Sequence, residues 1–213
     1  MQRPLLYLIT SGETTNQTTP AADSFARILQ LIQAAVAARI DLVQIREKHL
    51  RASVLYELSA SAAAITKGST TKLLVNDRAD IAAAAGADGV HLTTNSLPTG
   101  VVRKTFGDKF LIGVSTHSLV EAEAAREDGA DFAVFGPVFY TATKSRYGEP
   151  TGVDELAQVA AKLSPFPVLA LGGISIDNAA SCIRAGAAGV AGISMFQNPL
   201  ECGDLSPLWS ALS

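Results

Sequence analysis

Val168-Leu169-Ala170-Leu171-Gly172-Gly173-Ile174-Ser175 and, about twenty residues on, Val190-Ala191-Gly192-Ile193-Ser194 are two short apolar runs that break off into glycine and serine, as the last two strands of a (β/α)8 barrel do where they bind phosphate. Runs this short and this uniformly apolar read as strands buried on both faces. Glycine at the end of a buried strand leaves backbone N–H groups uncovered, and a helix starting just beyond adds its positive end, so a phosphate dianion is held without dedicated basic side chains. The same glycines also serve simply to turn the chain. The occurrence of two such segments in succession favours the cradle, with Gly172, Gly173, Gly192 and Ser194 as its candidate residues.

Upstream of this pair the pattern repeats. Short β-rich runs at 5–10, 42–46, 72–76, 89–92, 111–115 and 132–136 alternate with Ala-rich amphipathic stretches, and with 168–171 and 189–193 they make eight strand–helix pairs. That alternation predicts a parallel sheet with crossover helices, closed as a single (β/α)8 barrel over residues 1–213. Phe25, Ile28, Leu29, Ile32 and Val36 recur at helical intervals, and Ser118 with Glu121 reads as a capping box. Gly86-Ala87-Asp88, Gly129-Ala130-Asp131 and Gly186-Ala187-Ala188 each put glycine where a helix stops and a strand begins. Left-handed C-terminal glycines account for these three, so they read as turns and not as chemistry. The polar stretch 137–152 would sit over the barrel mouth as a candidate lid.

With 213 residues, 48% of them hydrophobic, the chain can bury one large core. Its net charge is −3 and its basic residues are scattered, which gives no electrostatic footprint for nucleic acid or an anionic membrane. The two cysteines, Cys182 and Cys202, have no metal-ligand spacing and read as structural thiols. The first apolar run is too short for a signal core or a membrane span, so a cytoplasmic enzyme is expected.

A barrel of this kind places its active site where strands end. The second strand ends in Gln44-Ile45-Arg46-Glu47-Lys48. By alternation Gln44, Arg46 and Lys48 share a face, offering an amide for a heterocycle edge and two cations for phosphate oxygens, or else a solvated charge cluster. The third ends in Asn76-Asp77-Arg78, where Asp77 suits either a hard cation such as Mg²⁺ or the cap of the following helix, and local sequence favours the cap. His117, after Ser115-Thr116, is a candidate acid/base at a strand end; His91 is a second, and His49 a weaker third. Thr141, Thr143 and Lys144 in the candidate lid offer hydroxyls and an ammonium to phosphate or diphosphate.

In order and spacing, Gln44–Lys48, Asn76-Asp77-Arg78, Gly89-Val90-His91-Leu92, Gly113 to Ser118, Gly136 to Lys144, Gly172-Gly173-Ile174 and Gly192-Ile193-Ser194 resemble the thiamin phosphate synthase/TenI family. The resemblance runs nearly end to end and implies thiamin biosynthesis, a thiazole phosphate as ligand, and a homodimer. Two activities are known in the family. The synthase joins hydroxymethylpyrimidine diphosphate to the thiazole phosphate with Mg²⁺. For that activity the resemblance implies Gln44 on the pyrimidine; Arg46, Lys48, Asn76, Ser115 and Lys144 on the diphosphate; Asp77 on the metal; and Thr141, Thr143, Gly173 and Ser194 on the thiazole phosphate. Thr93-Thr94-Asn95-Ser96 departs from the synthase pattern, with Ser96 where the resemblance implies a second metal carboxylate. TenI-type tautomerases also lack that acidic pair. They aromatise a thiazole carboxylate phosphate by moving a proton and use no cofactor, and His117 matches the acid/base, with Arg46 or Lys48 to steady the carboxylate. The expectation is therefore a TenI-like tautomerase, with the Mg²⁺-dependent synthase as its alternative and a non-catalytic binder of a phosphorylated ligand as a third.

Overall fold

The computed structural model describes residues 3–141 and 149–196. Eight parallel strands, β1 (Leu5–Ile9), β2 (Leu42–Ile45), β3 (Lys72–Asn76), β4 (Gly89–Leu92), β5 (Leu111–Thr116), β6 (Phe132–Phe135), β7 (Val168–Ala170) and β8 (Gly189–Gly192), close in sequence order into a barrel. Seven helices are described between them: α1 (Asp23–Ala37), α2 (Ala52–Thr66), α3 (Ala79–Ala85), α4 (Thr99–Phe106), α5 (Leu119–Glu127), α6 (Gly152–Leu163) and α7 (Ile176–Arg184). Closure is made by β1 against β8, with Tyr7 opposite Ala191. The predicted strands fall within about one residue of those observed, because most are continuous apolar runs ended by a polar residue or glycine. No helix among the described residues is long and apolar enough to cross a membrane.

Strand alternation divides the core in two. Tyr7, Ile9, Leu42, Leu74, Phe132, Val134, Leu169 and Ala191 point inward and fill the barrel. Their neighbours Leu6, Leu8, Val43, Leu73, Val75, Val90 and Ile112 point outward against the helices. The inward set is apolar toward the strand N-termini and becomes polar at Gln44, Asn76, His91 and Ser115, one or two residues further along. The helical stripe of α1 is rotated slightly from expectation: Phe25, Ile32 and Ala35 are its buried residues, and Val36 is only half-buried.

The glycines of the internal repeat behave as expected, with φ of 74° at Gly86, 90° at Gly129 and 95° at Gly186. The aspartates beside them do something the repeat alone does not show. Asp88 accepts the N–H of Leu73 at 2.9 Å, Asp131 that of Ile112 at 2.7 Å, and Asp41 in a similar turn that of Leu6 at 2.9 Å. Each carboxylate also meets a cation, Lys72, Arg103 and Arg3 in turn. These clamps occupy the end of the barrel where strands begin, the end that serves stability.

Candidate active site

Gln44, the last inward residue within β2, is 1% exposed and donates from Nε2 to Asn76 Oδ1 at 3.0 Å. Its Oε1 is buried and, among the described residues, receives no hydrogen bond. A buried acceptor left without a partner is costly in a native interior, and a donor on a ligand's ring edge would satisfy it. The pair presents a fixed amide wall at the strand ends.

The strand ends at Ile45, and the charged run that follows divides its work. Glu47, only 3% exposed, accepts hydrogen bonds from the Thr10 hydroxyl at 2.6 Å, Gly12 N–H at 3.2 Å, and the N–H and hydroxyl of Thr14 at 3.2 and 2.6 Å. Thr10 Oγ1 in turn accepts the N–H of Arg46 at 2.8 Å. The loop after β1 is thereby tied to the end of β2, with the half-buried Arg46 between them. Sequence gives no sign of this role for Glu47, since it lies between two cations and invites the reading of a surface charge run. Lys48 is exposed and, with Asn76, Asp77, Thr93 and Asn95, lines a cavity of about 340 Å³ at the mouth. A second cavity of about 380 Å³, between the loop after β1 and α1, holds none of the expected site residues.

Asp77 does not cap α3. The N-cap is Arg78, with no side-chain cap, while Asp77 sits in the left-handed region at φ 66° and donates its N–H to the His91 carbonyl at 2.9 Å. Aspartate tolerates this conformation better than most residues, and it leaves the carboxylate on the cavity wall instead of on the helix end. Ser96 does not line the cavity, and its Oγ accepts the Thr93 N–H at 2.7 Å, which closes the turn after β4. Asn95, not Ser96, faces the cavity. No group of three or more His, Cys, Asp or Glu that could hold a metal occurs among the described residues. Mg²⁺, however, is commonly held by one or two carboxylates together with substrate phosphates and water. Asp77, with Asn95 lining the same cavity, fits a Mg²⁺ that arrives with a diphosphate and does not fit a metal caged by protein alone.

The two strand-end histidines differ in kind. His91 is 2% exposed and lies inside the barrel, its Nδ1 3.1 Å from the Tyr7 hydroxyl and its Nε2 2.8 Å from Ser115 Oγ. Its ring packs near Tyr7 and Phe132, and a Cβ on Gly113 would come within 2.9 Å of its Nδ1. This burial removes His91 from the acid/base candidates. His117 is half-buried beyond the end of β5, with Nδ1 donating to the Gly136 carbonyl. Its backbone is held by Glu121, whose Oε2 accepts the His117 N–H at 2.6 Å. The predicted capping box is therefore half right: Ser118 Oγ accepts the Glu121 N–H at 3.2 Å, but the carboxylate reaches one residue before the cap.

At the cradle, Gly172 and Gly173 have φ of 99° and 62°. A Cβ on Gly172 would lie 2.5 Å from Pro137 Cβ, and one on Gly173 2.5 Å from the Tyr140 carbonyl oxygen. The glycines thus serve two ends: they admit the backbone after β6, which donates from Val138 to Leu171 and from Phe139 to Gly172, and they leave the chain open toward α7. Among the described residues, the N–H groups of Gly173 and Ile174 donate to no backbone carbonyl. Ser194 opens the helical turn after β8, where first-turn N–H groups lack intrahelical partners. The stem of the candidate lid is fixed, with Thr151 and Gly152 donating to Pro137 and Val138 carbonyls and Val138 1% exposed. Thr141 is half-buried at the edge of this segment; Thr143 and Lys144 lie outside the described residues.

Comparison with known proteins agrees with this fold. A family model described as thiamine monophosphate synthase matches residues 6–196. A "Putative thiamine-phosphate synthase" of Geobacter sulfurreducens is 47% identical over 167 residues, covering 78% of each chain. A "Thiamine-phosphate synthase" of Chloroflexus aurantiacus is 41% identical over 164 residues, covering 77% of this chain and 75% of that one. Among solved structures, a thiamine phosphate pyrophosphorylase from Pyrococcus furiosus superposes with a TM-score of 0.80 at 27% identity, over 98% of this chain and 97% of that one. With the match spanning nearly the whole barrel, the chain belongs to the thiamine monophosphate synthase family.

Proposed function

We propose that this protein is a thiamine-phosphate synthase, joining hydroxymethylpyrimidine diphosphate to a thiazole phosphate with loss of diphosphate. The observation that carries this reading is the Gln44–Asn76 pair beside Asp77, an amide wall with a buried open acceptor next to an uncapped carboxylate. A reaction that only moves a proton needs no such carboxylate, whereas a diphosphate departing with Mg²⁺ does. The names of the relatives point the same way, and the reading reverses the expectation of a tautomerase. On it, Gln44 orients the heterocycle; Arg46, Lys48, Asn76 and Ser115 bind the diphosphate; and Gly173 and Ser194 hold the thiazole phosphate through backbone N–H groups. Mg²⁺, when bound through Asp77 and Asn95, supplies charge neutralisation to the leaving diphosphate. Purified protein given both substrates and Mg²⁺ is expected to form thiamin phosphate, and Asp77→Asn to slow it about a hundredfold. No product in the complete mixture overturns the proposal.

The tautomerase reading retains one specific support, the His117 ring at the end of β5, whose Nδ1 donates to the Gly136 carbonyl. Proton exchange on a thiazole carboxylate phosphate, lost in His117→Ala while thiamin phosphate formation is absent, would favour it instead.

A further inference from the structure

Tyr7, His91 and Ser115 form a hydrogen-bonded line from the closed interior of the barrel to its mouth. Tyr7 is 0% exposed, His91 2%, and Ser115 half-buried at the strand end. We propose that Tyr7 and His91 are positioning residues that hold the Ser115 hydroxyl as a one-way donor toward an anionic ligand oxygen at the mouth, a role that rests on the diphosphate-binding reading above.

The direction follows from counting protons. The Tyr7 phenol is sealed among Phe132, His91 and the aliphatic side chains of the barrel interior, and burial pushes its ionisation well above the usual value, so its O–H proton stays on. A buried O–H needs an acceptor, and the acceptor it meets among the described residues is His91 Nδ1, at 3.1 Å. Nδ1 then carries no proton, and the ring proton sits on Nε2. That N–H donates to Ser115 Oγ at 2.8 Å. The serine hydroxyl, having accepted from below, cannot donate back along the same line, and its proton is left for the mouth. In the opposite sense, Ser115 would donate to Nε2, Nδ1–H would donate to the phenol oxygen, and the phenol proton would be left without an acceptor among the described residues of the buried interior. The stranded donor selects the first arrangement.

For a phosphate or diphosphate oxygen the distinction matters, because an anion accepts and never donates. A serine free to rotate offers it either a proton or a lone pair; the relay removes the repulsive choice. Gly113 supports the arrangement, since a Cβ there would reach 2.4 Å from the Phe132 ring and 2.9 Å from Nδ1 and push the imidazole off its line.

The test uses inorganic pyrophosphate with Mg²⁺, bound to the full-length protein and followed by calorimetry, so that it does not depend on turnover. Ser115→Ala is expected to weaken binding about tenfold, the size of one charge-assisted hydrogen bond. Tyr7→Phe in the Ser115 background should weaken it several-fold, and in the Ser115→Ala background should have no further effect. His91→Gln, whose amide N–H reaches the same oxygen, should retain more affinity than His91→Leu. Equal effects of Tyr7→Phe in both backgrounds, or no measurable binding by the unmodified protein, would overturn the proposal. Should the variants fail to fold, nitrogen-15 spectra of the unmodified protein decide it: a His91 ring protonated on Nε2 and bare on Nδ1 supports the relay, and the reverse tautomer ends it. Failure of thiamin phosphate synthesis with the relay intact would instead count against the synthase reading alone.

Discussion

Glu47 holds Thr14 twice: one carboxylate oxygen accepts both the Thr14 backbone N–H, at 3.2 Å, and its hydroxyl, at 2.6 Å. The other oxygen takes Thr10 and Gly12, so one buried side chain closes the loop after β1 onto the strand that carries Arg46. Glu47→Ala would leave these donors without an acceptor in a buried setting, and denaturant unfolding is expected to show a loss of about 3 kcal/mol. Because Thr10 of that loop holds the Arg46 N–H, KM for the diphosphate substrate of the proposed reaction should rise more than kcat falls. An unchanged unfolding midpoint would contradict the anchoring role.

Gly173→Ala tests the cradle. The residue has φ 62°, and a Cβ would meet the Tyr140 oxygen at 2.5 Å and Phe139 Cβ at 2.8 Å. Neither backbone can yield without separating the loops after β6 and β7. A loss of about 2 kcal/mol in stability is expected, with affinity for the thiazole phosphate of the proposed reaction reduced by at least tenfold. Retained affinity would mean that the phosphate sits elsewhere.

Asp131→Ala probes the opposite end of the barrel. The carboxylate accepts Ile112 N–H and Arg103 Nη2, each at 2.7 Å, so its removal should cost about 2 kcal/mol of stability. The mouth lies at the far end of β5, and kcat/KM should stay within about twofold of the unmodified protein. A large fall in kcat/KM with folding intact would show that the two ends are coupled.

Cys182 is fully buried on α7, and burial pushes its thiol up to about 11. The neutral thiol is the form the fold favours, so its contribution to stability is complete below the ordinary value near 9 and is lost as pH rises through about 11. In a Cys202→Ser background, a disulfide reagent at pH 8 is expected to leave the native protein unmodified and to react once denaturant is added. Rapid reaction of the native protein would show that α7 opens.

The barrel itself was legible from one dimension because most of its strands are short apolar runs such as Val168–Ala170 and several of its helix-to-strand turns carry a left-handed glycine, as at Gly86, Gly129 and Gly186. The set of strand-end residues followed from the same logic, since alternation within a strand fixes which side chains face inward. Hydrogen-bond direction was not legible. Whether Asp77 caps a helix or faces a cavity depends on a single left-handed φ, and whether Ser96 faces the cavity or closes its own turn depends on the Thr93 N–H. Gln44 and Asn76 lie far apart in the chain and become partners only because β2 and β3 are neighbours in the barrel. His91 and His117 both end strands and look alike in sequence, yet one is sealed beneath the mouth between Tyr7 and Ser115 and the other stands beside Gly136. Sequence alone determined the barrel, the residues that end its strands and the family resemblance, because those rest on periodicity and local backbone demands. Tertiary structure decided which polar groups meet, because barrel closure brings together side chains that no spacing along the chain relates.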